Sequence, residues 1–251
     1  MFRTLFSHLA NPLQYLWYKN VKTMKRLILM MFYFVVISAM AAGSKGKVVT
    51  TFVDNGPKKV ALTFDACQSK TPAYFDKTIL NYIIENKLPV SIFLSGRFAR
   101  QNEAEVKYLA KNYPFIEFEN HSMNHINHME RLSDAKVISE VADNEKLVTE
   151  MTGRAPEYFR FPAGNYNAHD LQLVNGLGLK VVHWTYASGD PDKHITPVAL
   201  ENEINTLTKP GDILIFHING RGWSTGKALP EMVKELHDKG YSFVRLEDVV
   251  N

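Results

Sequence analysis

Along this chain, seven short runs rich in apolar, β-branched or aromatic residues alternate with six longer stretches of helical spacing. That alternation admits few folds. Strands joined through helices run parallel, and a parallel sheet needs helices packed over it. The strands are expected at 60–65, 89–94, 115–118, 158–161, 180–184, 212–216 and 241–245, after a short leading strand within 48–53. The intervening helices are expected at 71–85, 103–112, 133–151, 168–177, 196–208 and 227–239. Phe75, Ile79, Tyr82 and Ile83 share one face of the first; Val106, Leu109 and Ala110 share one face of the second. Ser133 stands where a helix N-cap belongs, while Pro210-Gly211 and Gly240 stand where helices stop. The sequence shows no repeat, no low-complexity tract and no domain boundary after residue 47. One α/β domain with a parallel sheet, open or closed into a barrel, is the expectation.

Charge separates the first residues from the rest. Residues 1–42 hold Arg3, Lys19, Lys22, Lys25 and Arg26 and no acid, so 24 of the 29 basic residues are left against 26 acidic ones. The formal charge of +3 therefore belongs to the N-terminal segment, and the main domain offers no basic surface for nucleic acid. Lys25-Arg26, the apolar run 27–37 and the small residues Ser38-Ala39-Met40-Ala41 have the order of an export signal, with cleavage after Ala41 and Met24 as an alternative start. The apolar run is shorter than the roughly 20 residues of a membrane span. Residues 1–42 are thus expected to be a signal peptide or an uncleaved anchor, and 43–59 a linker and leading segment. Residues 60–251 form the expected catalytic domain, placed in the periplasm or secreted. The membrane is touched only through an uncleaved leader. One cysteine, Cys67, rules out an internal disulfide.

The unusual polar residues fall at strand ends. Val60 to Phe64 is an apolar run that ends at Asp65. His121 and His125 follow the strand at 115–118, Arg160 lies in the strand at 158–161, Asp190 follows the strand at 180–184, and His217 ends the strand at 212–216. In a parallel barrel the C-terminal strand ends meet on one face, where chemistry is built. Two histidines four apart can grip one metal ion from a helical turn, with His128 as a competitor. A buried arginine needs a carboxylate, and Asp65 and Asp190 are the partners available to Arg160. The turn Pro162-Ala163-Gly164 can aim a backbone N–H at an oxyanion, and His217 can protonate a leaving group. A carboxylate base, a metal-polarised carbonyl and a histidine acid make a hydrolytic site. Tyr166, Tyr186 and Trp223 are candidates for stacking on sugar rings.

These motifs resemble those of the polysaccharide deacetylase family, the NodB-homology domain of carbohydrate esterases, in family order over most of 60–246. Thr63-Phe64-Asp65 resembles the first motif, His121-Ser122-Met123-Asn124-His125 the second and Arg160-Phe161-Pro162-Ala163-Gly164 the third. The stretch from Trp184 to Asp190 resembles the fourth more loosely, and Ile215-Phe216-His217 resembles the fifth. The resemblance implies a distorted (β/α) barrel of about seven parallel strands in a single domain. It implies Asp65 as base, His217 as acid, and Arg160 and Asp190 as orienting groups. It implies His121 and His125 as ligands of a divalent metal, zinc first, with cobalt, nickel or manganese as alternatives. The substrate would be an N-acetylated polysaccharide or oligosaccharide, held by Pro162, Ala163, Gly164, Trp184 and Tyr166. Two positions depart from the pattern: Ala66 stands where the family carries its third metal ligand, an aspartate, and Pro191 where it carries tryptophan. Asp65, Cys67 or a water then has to complete the site. An inactive carbohydrate-binding or scaffold protein on the same fold is the alternative that Ala66 raises.

Overall fold

The computed structural model describes residues 46–54, 56–68 and 70–250. The leader, its cleavage point and the alternative start at Met24 lie outside the described residues. The elements in order are β1 Val48–Val49, β2 Lys59–Ala66, α1 Lys77–Glu85, β3 Val90–Leu94, α2 Gly96–Gln101, α3 Glu103–Asn112, β4 Ile116–Asn120 and α4 Asp134–Thr152. There follow β5 Tyr158–Phe159, α5 Ala168–Gly176, β6 Lys180–Val182, α6 Pro197–Leu207, β7 Ile213–His217, α7 Thr225–Asp238 and β8 Ser242–Val244. Lys45–Asn251 form one unit.

Every pairing between named strands is parallel, in the order β1-β6-β5-β4-β3-β2-β7, with β8 also on β2. The chain beyond β6 then returns to β7. Thr185 N–H donates to Ile213 O (2.9 Å), and Ala187 bridges Ile215 in parallel. Closure thus runs through isolated bridges rather than a continuous ladder, which is what makes the barrel distorted. The expected fold is the observed one, with eight short strands among the described residues.

Strand alternation sorts the side chains. On β2, Val60, Leu62, Phe64 and Ala66 join the apolar layer under the helices, with Ile79 and Ile83 of α1 and Leu229 and Met232 of α7. Ala61 packs in a separate cluster with Phe93, Tyr158 and Ile213, and Thr63 and Asp65 follow it on that inner face. The same alternation turns Glu117 and Glu119 inward on β4. Glu119 accepts hydrogen bonds from Glu157 N–H (2.9 Å) and Tyr158 N–H (2.7 Å), and Ser91 donates to Glu117. Burial, reinforced by its neighbour Glu117, pushes the Glu119 carboxyl well above its usual range.

Two helical expectations change. The first helix starts at Lys77, not 71, because Asp76 caps it, accepting from Thr78 and Ile79 N–H. Its own N–H is tied to Ile218 O (2.7 Å), which holds 71–76 out of the helix. The six-residue α2 is too short to show a hydrophobic period. It fits because position 96 is glycine: a Cβ there would stand 2.8 Å from Asn144 Oδ1.

Candidate active site

His121 and His125 do converge, but not on a helical turn. The segment after β4 is a loop in which Ser122 (φ 64°) and His125 (φ 51°) both adopt left-handed backbone. Neither is glycine, so each conformation costs on the order of 1–2 kcal/mol. Hydrogen bonds hold the turn: Ser122 N–H donates to Asn120 Oδ1 (3.0 Å) and His125 N–H to Ser122 Oγ (3.1 Å). The rings end 4.9 Å apart, centre to centre. His121 Nδ1 donates to Arg160 O (2.8 Å), which fixes the tautomer and leaves Nε2 as a bare lone pair. That Nε2 is buried and finds no hydrogen-bond partner. Burial holds His121 below its usual pKa; burial and then His121 bring His125 down to about 3. Both are therefore neutral and able to ligate. His128 points away, paired with Glu130 (2.9 Å).

Asp65 and Arg160 form the buried centre. Arg160 is 0 % exposed, and its guanidinium lies 4.0 Å over the Phe93 ring. Nη1 donates to Asp65 Oδ1 (2.7 Å), Nη2 to Thr63 Oγ1 (3.0 Å) and His183 O (2.9 Å), and Nε to Val182 O (3.2 Å). Burial alone would raise the Asp65 pKa. The surrounding imidazoles and the Arg160 guanidinium, which also donates to it, outweigh burial and bring the carboxyl down to about 2. Asp65 is thus ionised, with Oδ2 3.3 Å from the bare His121 Nε2.

Asp190 serves His217 and not Arg160. Its Oδ1 accepts from His217 Nδ1 (2.9 Å), and its Oδ2 from His217 N–H (2.7 Å) and Thr225 Oγ1 (2.9 Å). Register explains the division. Asp65 stands opposite His217 on β2–β7, while Arg160 follows β5, on the far side of β3 and β4. Gly222 permits the Asp190 contact, since a Cβ there would lie 2.5 Å from His217 O and 2.8 Å from Asp190 Oδ2.

A pocket of about 240 Å³ opens over these groups, lined by Asp65, His125 and His217 and walled by Ala163, Trp184 and Pro191. Ala163, at φ 54°, is a third left-handed non-glycine residue in the site. Gly164 lies against Trp184, where a Cβ would come within 2.8 Å of the indole. Pro162 and Gly164, expected with Ala163 to hold substrate, are not among the residues lining this pocket. Tyr166 is not part of it: its ring stacks on Phe161 (5.3 Å) and meets His183 edge-on (5.1 Å). Trp223 stands exposed outside the lining, and Tyr186 bonds the Thr208 hydroxyl (3.0 Å). Cys67, Asn127 and Arg221 line both this pocket and a neighbouring groove of about 450 Å³. Arg221 went unnoticed in the sequence. Its only signal there is a lone cation four residues past His217.

A family model described as polysaccharide deacetylase matches residues 52–182, just over half of the chain. The chain belongs to the polysaccharide deacetylase family. It is 26% identical over 197 residues to a peptidoglycan-N-acetylglucosamine deacetylase of Bacillus cereus, covering 74% of this chain and 68% of that one. It is 27% identical over 171 residues to a chitooligosaccharide deacetylase of Azorhizobium caulinodans, covering 66% and 76%. A CE4 family pseudoenzyme from Bacillus anthracis shares the fold at 21% identity, with a TM-score of 0.72 over 83% of this chain and 70% of that one.

The deacetylase family's metal requirement can be tested on the donors present. Cys67, His121 and His125 each place a ligand atom within 4.8 Å of the others, and the unpartnered His121 Nε2 is among the buried atoms there. The set suits a divalent cation such as zinc. Ala66 contributes nothing, since its methyl packs into the outer apolar layer.

His183 gives this deacetylase an acid sensitivity of its own. Burial, and then Arg160, lower it to about 4, and Nε2 has no partner. Unfolded, the imidazole takes its proton near 6.5. Its contribution is complete above pH 6.5 and is lost as pH falls toward 4. The loss is at most about 3 kcal/mol. Urea midpoints of metal-free protein measured from pH 7.5 to 4.5 are expected to fall less steeply for His183→Phe than for the wild type.

Proposed function

We propose that this chain is an exported, metal-assisted deacetylase acting on an N-acetylated polysaccharide or oligosaccharide. One observation carries the proposal. A carboxylate and an imidazole face one pocket, each locked by its own opposite partner, beside two neutral histidines. The bound metal would supply Lewis-acid polarisation of the acetyl carbonyl. Asp65, anchored by Arg160, takes the proton of the attacking water. His217, oriented by Asp190, gives a proton to the departing sugar nitrogen as the C–N bond breaks, so the products are acetate and a free amine. The pocket is smaller than the about 300–1,000 Å³ of drug-sized sites, which fits an acetamido group with the glycan lying across the rim. The named substrates of the relatives above support a glycan.

The deciding measurement is acetate release from N-acetylglucosamine oligomers and from peptidoglycan, using metal-free protein with and without added zinc or cobalt. Metal-dependent release is expected. Ala66 favours one competing reading, an inactive carbohydrate-binding protein. Tight oligosaccharide binding with no acetate from any acetylated glycan would establish it. Export rests on the leader, and N-terminal sequencing of mature protein is expected to begin after Ala41.

A further inference from the structure

We infer that Cys67 is the third protein ligand of the metal, so that this chain holds its cation with two imidazoles and one thiolate and leaves Asp65 free as the base. The inference rests on the proposal above that His121 and His125 bind a divalent cation.

Position 66 cannot do the work. Alternation along β2 puts Asp65 on the inner face and Ala66 on the outer one, where it packs with Phe64 and Phe98 in the apolar layer. One residue further the chain leaves the strand, and Cys67 lines the same pocket as Asp65 and His125. It is 5 % exposed, in no disulfide, and its carbonyl is held by Asn219 Nδ2. Its sulfur lies within 4.8 Å of ligand nitrogens on both His121 and His125.

A second observation points to a cation independently of the cysteine. His121 Nε2 is buried and without a hydrogen-bond partner, and it faces Asp65 Oδ2 at 3.3 Å. With the ring proton committed to Arg160 O, two lone pairs oppose each other there. A positive charge bound among His121, His125 and Cys67 relieves that opposition. Asp65 meanwhile remains bonded to Arg160. The Cys67 thiol gives its proton to solvent as the metal binds, and no electron is transferred. A thiolate beside two imidazoles selects zinc over the harder manganese or magnesium.

Cobalt reports sulfur ligation directly. Metal-free protein is titrated with Co²⁺ and its absorption followed. The wild type is expected to show visible ligand-field bands together with a sulfur-to-cobalt charge-transfer band in the near ultraviolet. Cys67→Ser and Cys67→Ala are expected to lose the ultraviolet band, keep visible bands from the histidine pair, and bind about 10- to 100-fold more weakly or worse. That scale follows because even groups that merely orient a ligand cost this much when removed. Visible bands without the charge-transfer band in the wild type would overturn the cysteine assignment and leave the histidine site standing. No cobalt bands at all would overturn both. The wild-type spectrum decides the matter even if a variant folds poorly.

Discussion

Asp65→Asn is expected to cut acetate release by about 10²–10⁴-fold, the share of a positioned proton acceptor. The amide keeps the shape of the carboxylate but can neither take a proton nor neutralise Arg160. Stability should respond as well, because Arg160 is fully buried and Asp65 is its one acidic partner among the described residues. Removing one member of such a pair strands the other. Arg160→Met is therefore expected to lower unfolding free energy by about 3–5 kcal/mol. The double variant should recover much of that stability and none of the activity, since it strands no charge. Urea denaturation and acetate assays on the four proteins complete the cycle. More than a tenth of wild-type activity in Asp65→Asn would remove Asp65 from the role of base.

Replacing His217 by glutamine should separate two kinds of substrate. On an acetamido sugar the leaving nitrogen needs a proton, and the loss is expected to be about 10²–10⁴-fold. On p-nitrophenyl acetate the phenolate leaves unassisted, and the loss should be small. Equal losses on both would mean that His217 does something other than protonate the leaving group. Asp190→Asn should follow the same pattern more weakly, because the amide can still accept from His217 Nδ1. Gly222→Ala should imitate it with both residues left in place, by pushing its Cβ against Asp190 Oδ2 and His217 O.

Much of this arrangement was legible in the chain, for physical reasons that differ from residue to residue. The strand ends could be read because buried parallel strands are apolar and stop where polar chemistry begins. Asp65 and His217 interrupt otherwise apolar runs. The pairing of Asp190 could not be read. It depends on which strands are neighbours, and β7 lies beside β2 although about 150 residues separate them. The histidine turn was misjudged because a four-residue spacing suggests a helix, whereas Ser122 and His125 use left-handed backbone that nothing in their residue types announces. Tyr166 looked like a sugar platform; its ring, still partly exposed, stacks on Phe161 and meets His183 outside the pocket lining. Cys67 was readable as a residue near Asp65, but its distance to the two histidines required the barrel.

The β2–β7 register has a wider consequence. Asp65 and His217 are partners directly across one parallel ladder. Adjacent strands are held about 4.7–4.9 Å apart by backbone hydrogen bonds. The separation of the two proton-transfer groups is therefore gauged by the main chain itself, independent of loop sequence. The walls, Trp184 to Pro191 and the segment bearing Arg221, belong to connections outside that ladder. Recognition can then be rewritten by substitution or insertion in those connections while the reactive spacing stays constant. Libraries aimed at a new acetylated glycan belong in the connections, with 59–67, His121, His125, Arg160, Asp190, 213–217 and Gly222 left untouched.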